Sequence, residues 1–233
     1  MHNRYPTSPR GDARATIAVA ALATAMLMLD ISVVNAALSD IATSLQTDLA
    51  GLQWVVDAYT LPLAATVLTA GALADRLGRR RVFAFGIVLF TLASAAAGLS
   101  PGIAGLVWAR AVQGLGGAIL FATALALIAQ ASPTPTQRAK ALAVYGATIG
   151  ASFAVGPFVG GALASVLGWR AIFLVNVPLG ILALVVTLRR VAESRELDRR
   201  GIDWPGQATL VAGLFLLVFA LLRTHDHGWS TAA

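Results

Sequence analysis

Residues 71–80 read GALADRLGRR, and residues 161–170 read GALASVLGWR. Seven of the ten letters agree, and the second copy lacks the charges that Asp75, Arg76 and Arg79 give to the first. The phrases follow the second and the fifth of seven apolar stretches, so an odd number of membrane crossings separates them. This predicts an inverted repeat of three helices, in which the cytoplasmic copy keeps its arginines and the outer copy loses most of them. The alternative is chance similarity in a chain rich in small apolar residues.

The composition is that of a membrane protein. Of the 233 residues, 58% are hydrophobic and only 12% are charged, whereas soluble domains carry about 25% charged residues. The net charge of +6 lies in short clusters between long apolar runs, which argues for the lipid bilayer and against nucleic acid as a partner. Cysteine is absent and the three histidines lie near the chain ends, so we expect no metal and no cofactor.

Seven stretches are apolar over about 20 residues, the length that a membrane span requires. They lie near 14–38, 53–74, 82–100, 103–131, 140–167, 171–188 and 206–223. With a cytoplasmic N-terminus, fourteen of the seventeen Lys and Arg residues fall inside, as the positive-inside rule requires. All five tryptophans fall near span ends, which is typical of an interfacial aromatic belt. We therefore predict a multi-pass protein of the cell membrane, with its C-terminus outside.

These spans predict an all-α membrane protein divided into four parts. A cytoplasmic tail is expected at 1–13 and a six-helix unit at 14–188. A cytoplasmic linker is expected at 189–205, followed at 206–233 by a seventh membrane helix and an outer tail.

Four motifs resemble those of a known family. GALADRLGRRR at 71–81 resembles the signature loop between spans two and three of the major facilitator superfamily. Further stretches resemble its drug/proton antiporters with fourteen spans: LDISVVNAAL at 29–38, RAVQGLGGA at 110–118 and GPFVGGALASVLGWRAIFLVNVPLG at 156–180. The resemblance implies a six-helix N-terminal half followed by one extra span. It also implies a transporter, not an enzyme, that exports small lipophilic or cationic compounds in exchange for protons.

An arginine and an aspartate lie inside the apolar stretches. Arg110 shares a helix face with Gln113, Gly114 and Gly117 by their i, i+3, i+4 and i+7 spacing. Arg110 and Asp30 lie seven and eight residues from the outer ends of their spans, at depths of about 10 and 12 Å. Because an intramembrane arginine needs a partner or a wet cavity, we predict that the two meet in a water-filled crevice. We expect Asp30 to take up and release the proton; the alternative is a permanent ion pair that only orients helices.

Four residues are candidates for the substrate cavity. Asp57, near the outer end of span two, either attracts cationic substrates or is an ordinary interfacial charge. Asn35, Tyr59 and Gln113 are expected to line the same cavity.

The loop at 71–81 is expected to act as a latch between conformations, as the resemblance implies. Gly71 is expected to let neighbouring helices approach and Gly78 to permit a tight turn. Asp75 can accept hydrogen bonds from an arginine or a helix N-terminus. The cations expected to take part are Arg76, Arg79 and Arg80. The alternative is an ordinary positive-inside anchor.

Span five carries the glycine pattern of closely packed membrane helices. Its G-x-x-x-G pairs are Gly146 with Gly150 and Gly156 with Gly160. Pro157 removes a backbone donor and is expected to bend or loosen the helix. With Gly161 and with Gly114 and Gly117 of span four, these residues are expected to pack helices together.

The resembled antiporters contain two six-span halves, and this sequence accounts for one. We expect a truncated transporter; a separately encoded second half and a homodimer of chains in the same orientation are the alternatives. The substrates are then a small molecule and protons. The competing function is a non-transporting membrane protein, either inert or an assembly partner.

Overall fold

The computed structural model describes residues 12–194 and 204–227. Most of the predicted N-terminal tail, most of the linker and the last six residues lie outside the described residues. The predicted cytoplasmic and interfacial residues outside these ranges are Arg4, Arg10, Arg195, Arg199, Arg200 and Trp229.

Within the two described ranges the chain forms nine helices joined by turns. They are α1 (Ala13–Ala36), α2 (Leu38–Leu45), α3 (Leu49–Leu77), α4 (Arg79–Gly98), α5 (Ile103–Ala131), α6 (Pro135–Leu167), α7 (Ala171–Leu174), α8 (Asn176–Arg190) and α9 (Trp204–His227). Six segments are long and apolar enough to cross a membrane, namely α1, α3, α4, α5, α6 and the combined Ala171–Arg190. Within α9, Pro205–Leu217 forms a shorter apolar stretch.

The helices extend beyond the predicted spans where polar caps begin them. α3 begins four residues before the predicted span, because the Asp48 carboxylate accepts the Gly51 N–H at 2.9 Å. α6 begins five residues early, at a capping box in which Thr134 and Gln137 bond each other's backbone N–H at 3.3 Å. Hydropathy detects the lipid-embedded part of a helix and does not include such polar first turns.

The short helix α2 is absent from the sequence prediction. It is amphipathic, with Ile41 buried and Asp40 exposed, and it ends at Gln46, whose φ is 51°. At eight residues it is too short to give a membrane signal.

The predicted sixth span is divided into α7 and α8. Pro178 has no N–H to donate to the carbonyl of Leu174, four residues earlier, so the helical hydrogen-bond ladder is interrupted there. The interruption makes Asn176 the first residue of α8, and Asn176 is buried in the bundle.

The helix packing repeats after three spans. α1 packs against α6, the first span against the fifth, and α5 packs against α3, the fourth against the second. In such a repeat, spans one, two and three correspond to spans four, five and six. The contact of span one with span five therefore corresponds to the contact of span four with span two. The third and sixth spans, α4 and α8, pack on each other. The predicted inverted repeat of three helices is therefore present.

The two similar phrases form the same local structure. Gly78 and Gly168 are the eighth residues of the two phrases, and their φ angles of 109° and 83° favour glycine. Each donates its N–H to the carbonyl four residues earlier, Ala74 or Ala164, at 3.0 Å. The residues shared by the two segments thus end a helix in both copies. Gly78 permits the turn that the sequence predicts.

Some of the glycines make the close packing that was expected. A Cβ on Gly156 would lie 2.3 Å from the Ser32 hydroxyl, and one on Gly160 would lie 3.0 Å from the Cα of Val33, both on α1. A Cβ on Gly114 would lie 2.3 Å from the Tyr59 carbonyl oxygen. Gly117 would meet Leu27 at 2.8 Å, and Gly116, which the prediction omitted, would meet the Phe90 nitrogen at 2.8 Å. Only hydrogen fits at these positions without rearrangement.

Four glycines require a correction. A Cβ on Gly71 would lie 3.8 Å from Ala122, an ordinary contact, so close approach of helices does not need this glycine. Cβ atoms on Gly146, Gly150 and Gly161 would meet no described atom within 4 Å. At 3.6 residues per turn these three share one face of α6, which no other described helix covers.

Candidate functional site

A polar cluster divides the apolar core of the bundle. On α1 and α5, one buried apolar group includes Leu27 and Leu120, and the other includes Val33 and Leu106. The six residues that we call the polar cluster lie between these groups; they are Asp30, Tyr59, Ser94, Arg110, Gln113 and Asn176. They come from α1, α3 and α4 of the first three spans and from α5 and α8 of the next three. The cluster therefore contains residues of both halves of the inverted repeat.

Asp30 and Arg110 form an ion pair at the centre of the cluster, through Arg110 Nη1 and Asp30 Oδ2. The contact expected from their matched depths is therefore present. The water-filled crevice is not, because Asp30 is 3% exposed and Arg110 is 2% exposed. The helices of this chain enclose the pair on all sides, and its stability depends on hydrogen bonds from the protein rather than on water.

Two amides also hold the Asp30 carboxylate. Gln113 donates from Nε2 to Asp30 Oδ1 at 2.8 Å and to the Ser94 hydroxyl at 2.7 Å. Asn176 donates from Nδ2 to the same two acceptors at 3.3 and 3.4 Å. Arg110 and Gln113 of α5 and Asn176 of α8 thus compensate a carboxylate that is costly to bury alone.

Arg110 has partners besides the carboxylate. Its Nε donates to the Val55 carbonyl at 3.2 Å, and its Nη1 donates to Gln113 Oε1 at 2.8 Å. The guanidinium carbon lies 4.1 Å from the centroid of the Tyr59 ring and 5.8 Å from that of Phe173. Both distances are within the range of cation–π attraction. The cation would therefore keep a bound position even if Asp30 lost its charge.

The sequence prediction missed Ser94 and Asn176. Ser94 lies in the alanine-rich run LASAAAG, where small residues are ordinary membrane packing, so no local signal distinguishes it. Asn176 had a signal, because it is a lone amide within a predicted span and belongs to the VNVPLG stretch.

The four candidate cavity residues separate into two groups. Tyr59 and Gln113 are fully buried in the polar cluster. Asn35 is exposed and donates to the Ile31 carbonyl of its own helix at 3.0 Å, and Asp57 is half-buried on α3. The structure therefore does not gather all four residues around one cavity.

The loop at 71–81 contains an ion pair that joins the end of α3 to the start of α4. Arg79 donates to Asp75 Oδ1 from Nε at 2.9 Å and from Nη2 at 2.7 Å. Arg76 is exposed, and Arg80 donates from Nη2 to the Leu188 carbonyl at 2.5 Å.

Glu193, which the sequence prediction did not single out, joins this loop to the end of the sixth span. α4 follows Gly78 and has no side-chain cap of its own. Glu193 Oε1 accepts the backbone N–H of Arg80 at 3.1 Å, and Arg79 donates its own N–H to the Ser194 carbonyl at 2.8 Å. A carboxylate at a helix N-terminus is favourable. The segment after α8 thus caps a helix of the opposite repeat.

The fold and the site together define a class. Six membrane-length helices in an inverted repeat, with a buried ion pair where the two repeats meet, are the architecture of an integral membrane transporter. Residues 20–224 match the Major Facilitator Superfamily. The chain therefore belongs to the major facilitator superfamily, whose members are transporters rather than enzymes.

Similar curated proteins are resistance and export proteins. The chain is 41% identical to the multidrug resistance protein Stp of Mycobacterium tuberculosis, over 93% of this chain and 40% of that protein. It is 37% identical to the methylenomycin A resistance protein of Streptomyces coelicolor, over 97% of this chain and 48% of the relative. The tetracenomycin C resistance and export protein of Streptomyces glaucescens is 37% identical, over 94% and 41%. The chain thus spans less than half the length of these relatives.

Solved structures with the same fold include peptide transporters. A crystal structure of the peptide transporter POT with sulfate aligns with 92% of this chain and 47% of its own, at a TM-score of 0.69 and 17% identity. At this identity the likeness establishes the fold and carries no statement about substrate.

Proposed function

We propose that this chain is the proton-coupling half of an exporter that moves small lipophilic or cationic compounds across the cell membrane in exchange for protons. The observation that supports the proposal best is the buried ion pair of Asp30 and Arg110, because ionisable residues inside membrane bundles are expensive and generally functional. The multidrug resistance and the tetracenomycin C export named for two relatives support the class of substrate.

In the proposed cycle Asp30 exchanges its proton while Arg110 stays charged. With Asp30 ionised, the pair is neutral overall and α1 is held to α5. Protonation removes the attraction, and Arg110 remains held by the Val55 carbonyl and the Tyr59 ring. The contact between α1 and α5 loosens, which allows the two repeats to move and expose the site to the other side. Release of the proton restores the pair.

The proposed orientation places the N-terminus in the cytoplasm. It rests on the distribution of Lys and Arg, which gather in the loop at 76–81, at 138–140 and at the end of α8. The proposed division is a six-helix unit at 14–188, a linker at 189–205 and a seventh helix with an outer tail, and α9 fits the seventh helix.

We propose that the working transporter contains a second six-helix half. The chain spans 40–48% of its relatives, and one face of α6 is uncovered, with Phe158 82% exposed. The second half would be the remainder of a longer polypeptide, a separate chain, or a second copy inserted in the same orientation. The last arrangement is geometrically feasible because parallel halves are related by an axis along the membrane normal.

A second candidate function is a membrane protein that assembles with a transporter but does not itself exchange protons. The completeness of the hydrogen bonding around Asp30 favours this candidate, since a fully compensated pair can serve only to orient helices.

Transport by the reconstituted chain separates the two candidates. The chain is placed in vesicles with an imposed pH gradient, and movement of the lipophilic cation ethidium is followed by fluorescence. We expect gradient-driven accumulation that Asp30→Asn abolishes, while ethidium exchange without a gradient continues. Asp40→Asn, an exposed carboxylate on α2, is the matched control and should transport normally. Only the arrangement with a second copy predicts transport by this chain alone, so absence of any gradient-driven movement by the unaltered chain would exclude that arrangement and favour the assembly role over a half that works as a dimer.

A further inference from the structure

A groove separates α9 from α3 along part of their length. Its volume is about 750 Å³, and Leu115 of α5 forms part of its wall. Its walls include Ala65, Thr66 and Thr69 of α3 and Gln207, Ala212 and Phe215 of α9. We call it the α3–α9 groove. No residue of the polar cluster lines the groove.

Two contacts fix α9 antiparallel to α3 and so define the groove. Near the start of α9, the Thr69 hydroxyl donates to Gln207 Oε1 at 2.7 Å. Near its end, the rings of Trp54 and Phe219 lie 6.4 Å apart. The lining comes from the second half of α3 and the first half of α9. In the proposed orientation, these segments lie in the cytoplasmic half of the bilayer.

The chemistry of the lining excludes a water-filled site. A buried water needs two to four polar partners, and the groove offers polar side chains mainly at its Thr69–Gln207 end. Thr66 is already bonded to the Pro62 carbonyl at 2.7 Å. The other lining side chains are apolar, and the volume falls within the range of about 300–1,000 Å³ typical of sites for drug-sized ligands. The occupant should therefore be an apolar molecule.

The described lining of the groove carries no charge. The described lining residues include no Lys, Arg, Asp or Glu, so a charged group on a ligand would find no counter-charge there; an acyl chain of a phospholipid is the competing occupant. The Thr69–Gln207 pair keeps hydrogen-bonding capacity, because the hydroxyl oxygen can accept and the amide nitrogen can donate. This combination suits an uncharged lipophilic molecule with one polar group.

We propose that the α3–α9 groove binds uncharged, drug-sized lipophilic molecules that enter it from the bilayer. The apolar body lies against Ala65, Ala212 and Phe215, and the polar group meets the Thr69–Gln207 pair. The choice of exported compounds as ligands rests on the proposed function, but binding requires neither proton exchange nor the polar cluster. The groove is thus a collection site for substrate beside the transport machinery.

Photolabelling tests the groove directly. The whole chain in phosphatidylcholine nanodiscs is labelled with 4-aminobenzophenone, which is uncharged, aromatic and photoreactive and carries one amine donor. We expect saturable labelling of peptides covering 62–69 and 207–216, competed by N-phenyl-1-naphthylamine. Ala212→Phe should fill the groove and weaken labelling about tenfold, the equivalent of about 1.4 kcal/mol. Ala162→Phe, at an exposed alanine of α6, should label like the unaltered chain.

A second arm uses phosphatidylcholine with a diazirine in its acyl chain. The proposal is overturned if this lipid labels the two peptides while 4-aminobenzophenone labels them without saturation and regardless of Ala212→Phe. Ala65→Phe fills the groove from α3 and gives the same test should Ala212→Phe fail to fold. The assay has no pH gradient, so saturable labelling supports the groove whether or not the chain transports, and a failed transport test leaves the groove standing. Asp30→Asn should leave the labelling unchanged.

Discussion

At the scale of single residues, the polar cluster is arranged so that each charge has several partners. Asp30 accepts hydrogen bonds from Arg110, Gln113 and Asn176. Arg110 in turn uses a backbone carbonyl and an aromatic face. Removing one charge leaves the other buried without its counter-charge, which costs more than removing both.

This imbalance predicts the behaviour of a double-mutant cycle. Arg110→Met should lower the free energy of unfolding by about 3–5 kcal/mol, because it leaves the Asp30 carboxylate without its cation. Asp30→Asn should cost less, since the Arg110 guanidinium keeps the Val55 carbonyl and the Tyr59 ring. Combining the two should cost less than the sum of the single changes. Unfolding by denaturant in detergent micelles measures all three, and additive losses would show that the pair is not energetically coupled.

Matched depth within two spans was enough to predict that Asp30 and Arg110 meet. It was not enough to predict Ser94 or the enclosure of the pair, because depth gives the level of a residue in the membrane and not the direction of its side chain. The expected crevice was wrong for this reason.

At the scale of helices, glycine patterns showed which helices pack closely but not which face does so. Gly156 and Gly160 lie against α1, whereas Gly146 and Gly150, with the same spacing, face away from every described helix. The sequence of one helix carries no information about which side its neighbour lies on. Caps and the short α2 were likewise missed, since they depend on a few polar atoms rather than on hydropathy.

The two kinds of glycine should respond differently to alanine. Gly114→Ala places a methyl group 2.3 Å from a backbone oxygen of α3. It should therefore force α3 and α5 apart at a cost of about 1–3 kcal/mol. Gly150→Ala meets nothing within 4 Å and should leave the chain's stability unchanged or slightly higher, because alanine favours helix. Melting temperatures of the two purified variants compare them; equal losses would contradict the packing described.

Glu193 provides a second prediction at this scale. Replacing it with alanine removes the carboxylate that accepts the Arg80 N–H at the start of α4 and should destabilise that helix end by about 0.5–2 kcal/mol. Its ion pair with Arg81 contributes little, since Arg81 is 78% exposed. Hydrogen exchange of the amides at 79–82 should accelerate, while exchange in α6 stays unchanged. Unaltered exchange at 79–82 would mean that Glu193 does not cap α4.

At the scale of the whole molecule, the inverted repeat was the most predictable feature. A shared phrase at 71–80 and 161–170, on opposite sides of the membrane by span count, implied a symmetry that the helix contacts follow. Hydropathy alone also predicted the order of the six segments that are long and apolar enough to cross a membrane, whereas the seventh predicted span corresponds to α9, whose apolar stretch Pro205–Leu217 is shorter. The partner of the open α6 face could not be predicted, because the residue pattern of one helix does not identify what packs against it.

The proposed orientation can be tested on the chain as it is, since it contains no cysteine. Pro101→Cys and Pro133→Cys replace exposed prolines in the turns before and after α5. In intact cells a membrane-impermeant maleimide should label Pro101→Cys and not Pro133→Cys, and lysis should make both reactive. The reverse pattern would overturn the orientation and the export direction that depends on it.

The central claim is that Asp30 changes protonation when the transporter works. Infrared difference spectroscopy of the chain in nanodiscs, recorded before and after addition of ethidium, observes the protonated carboxyl group directly. We predict a change in the protonated-carboxyl band that is absent in Asp30→Asn and present in Asp40→Asn. The same band change in Asp30→Asn, or no change in the unaltered chain, would contradict the account.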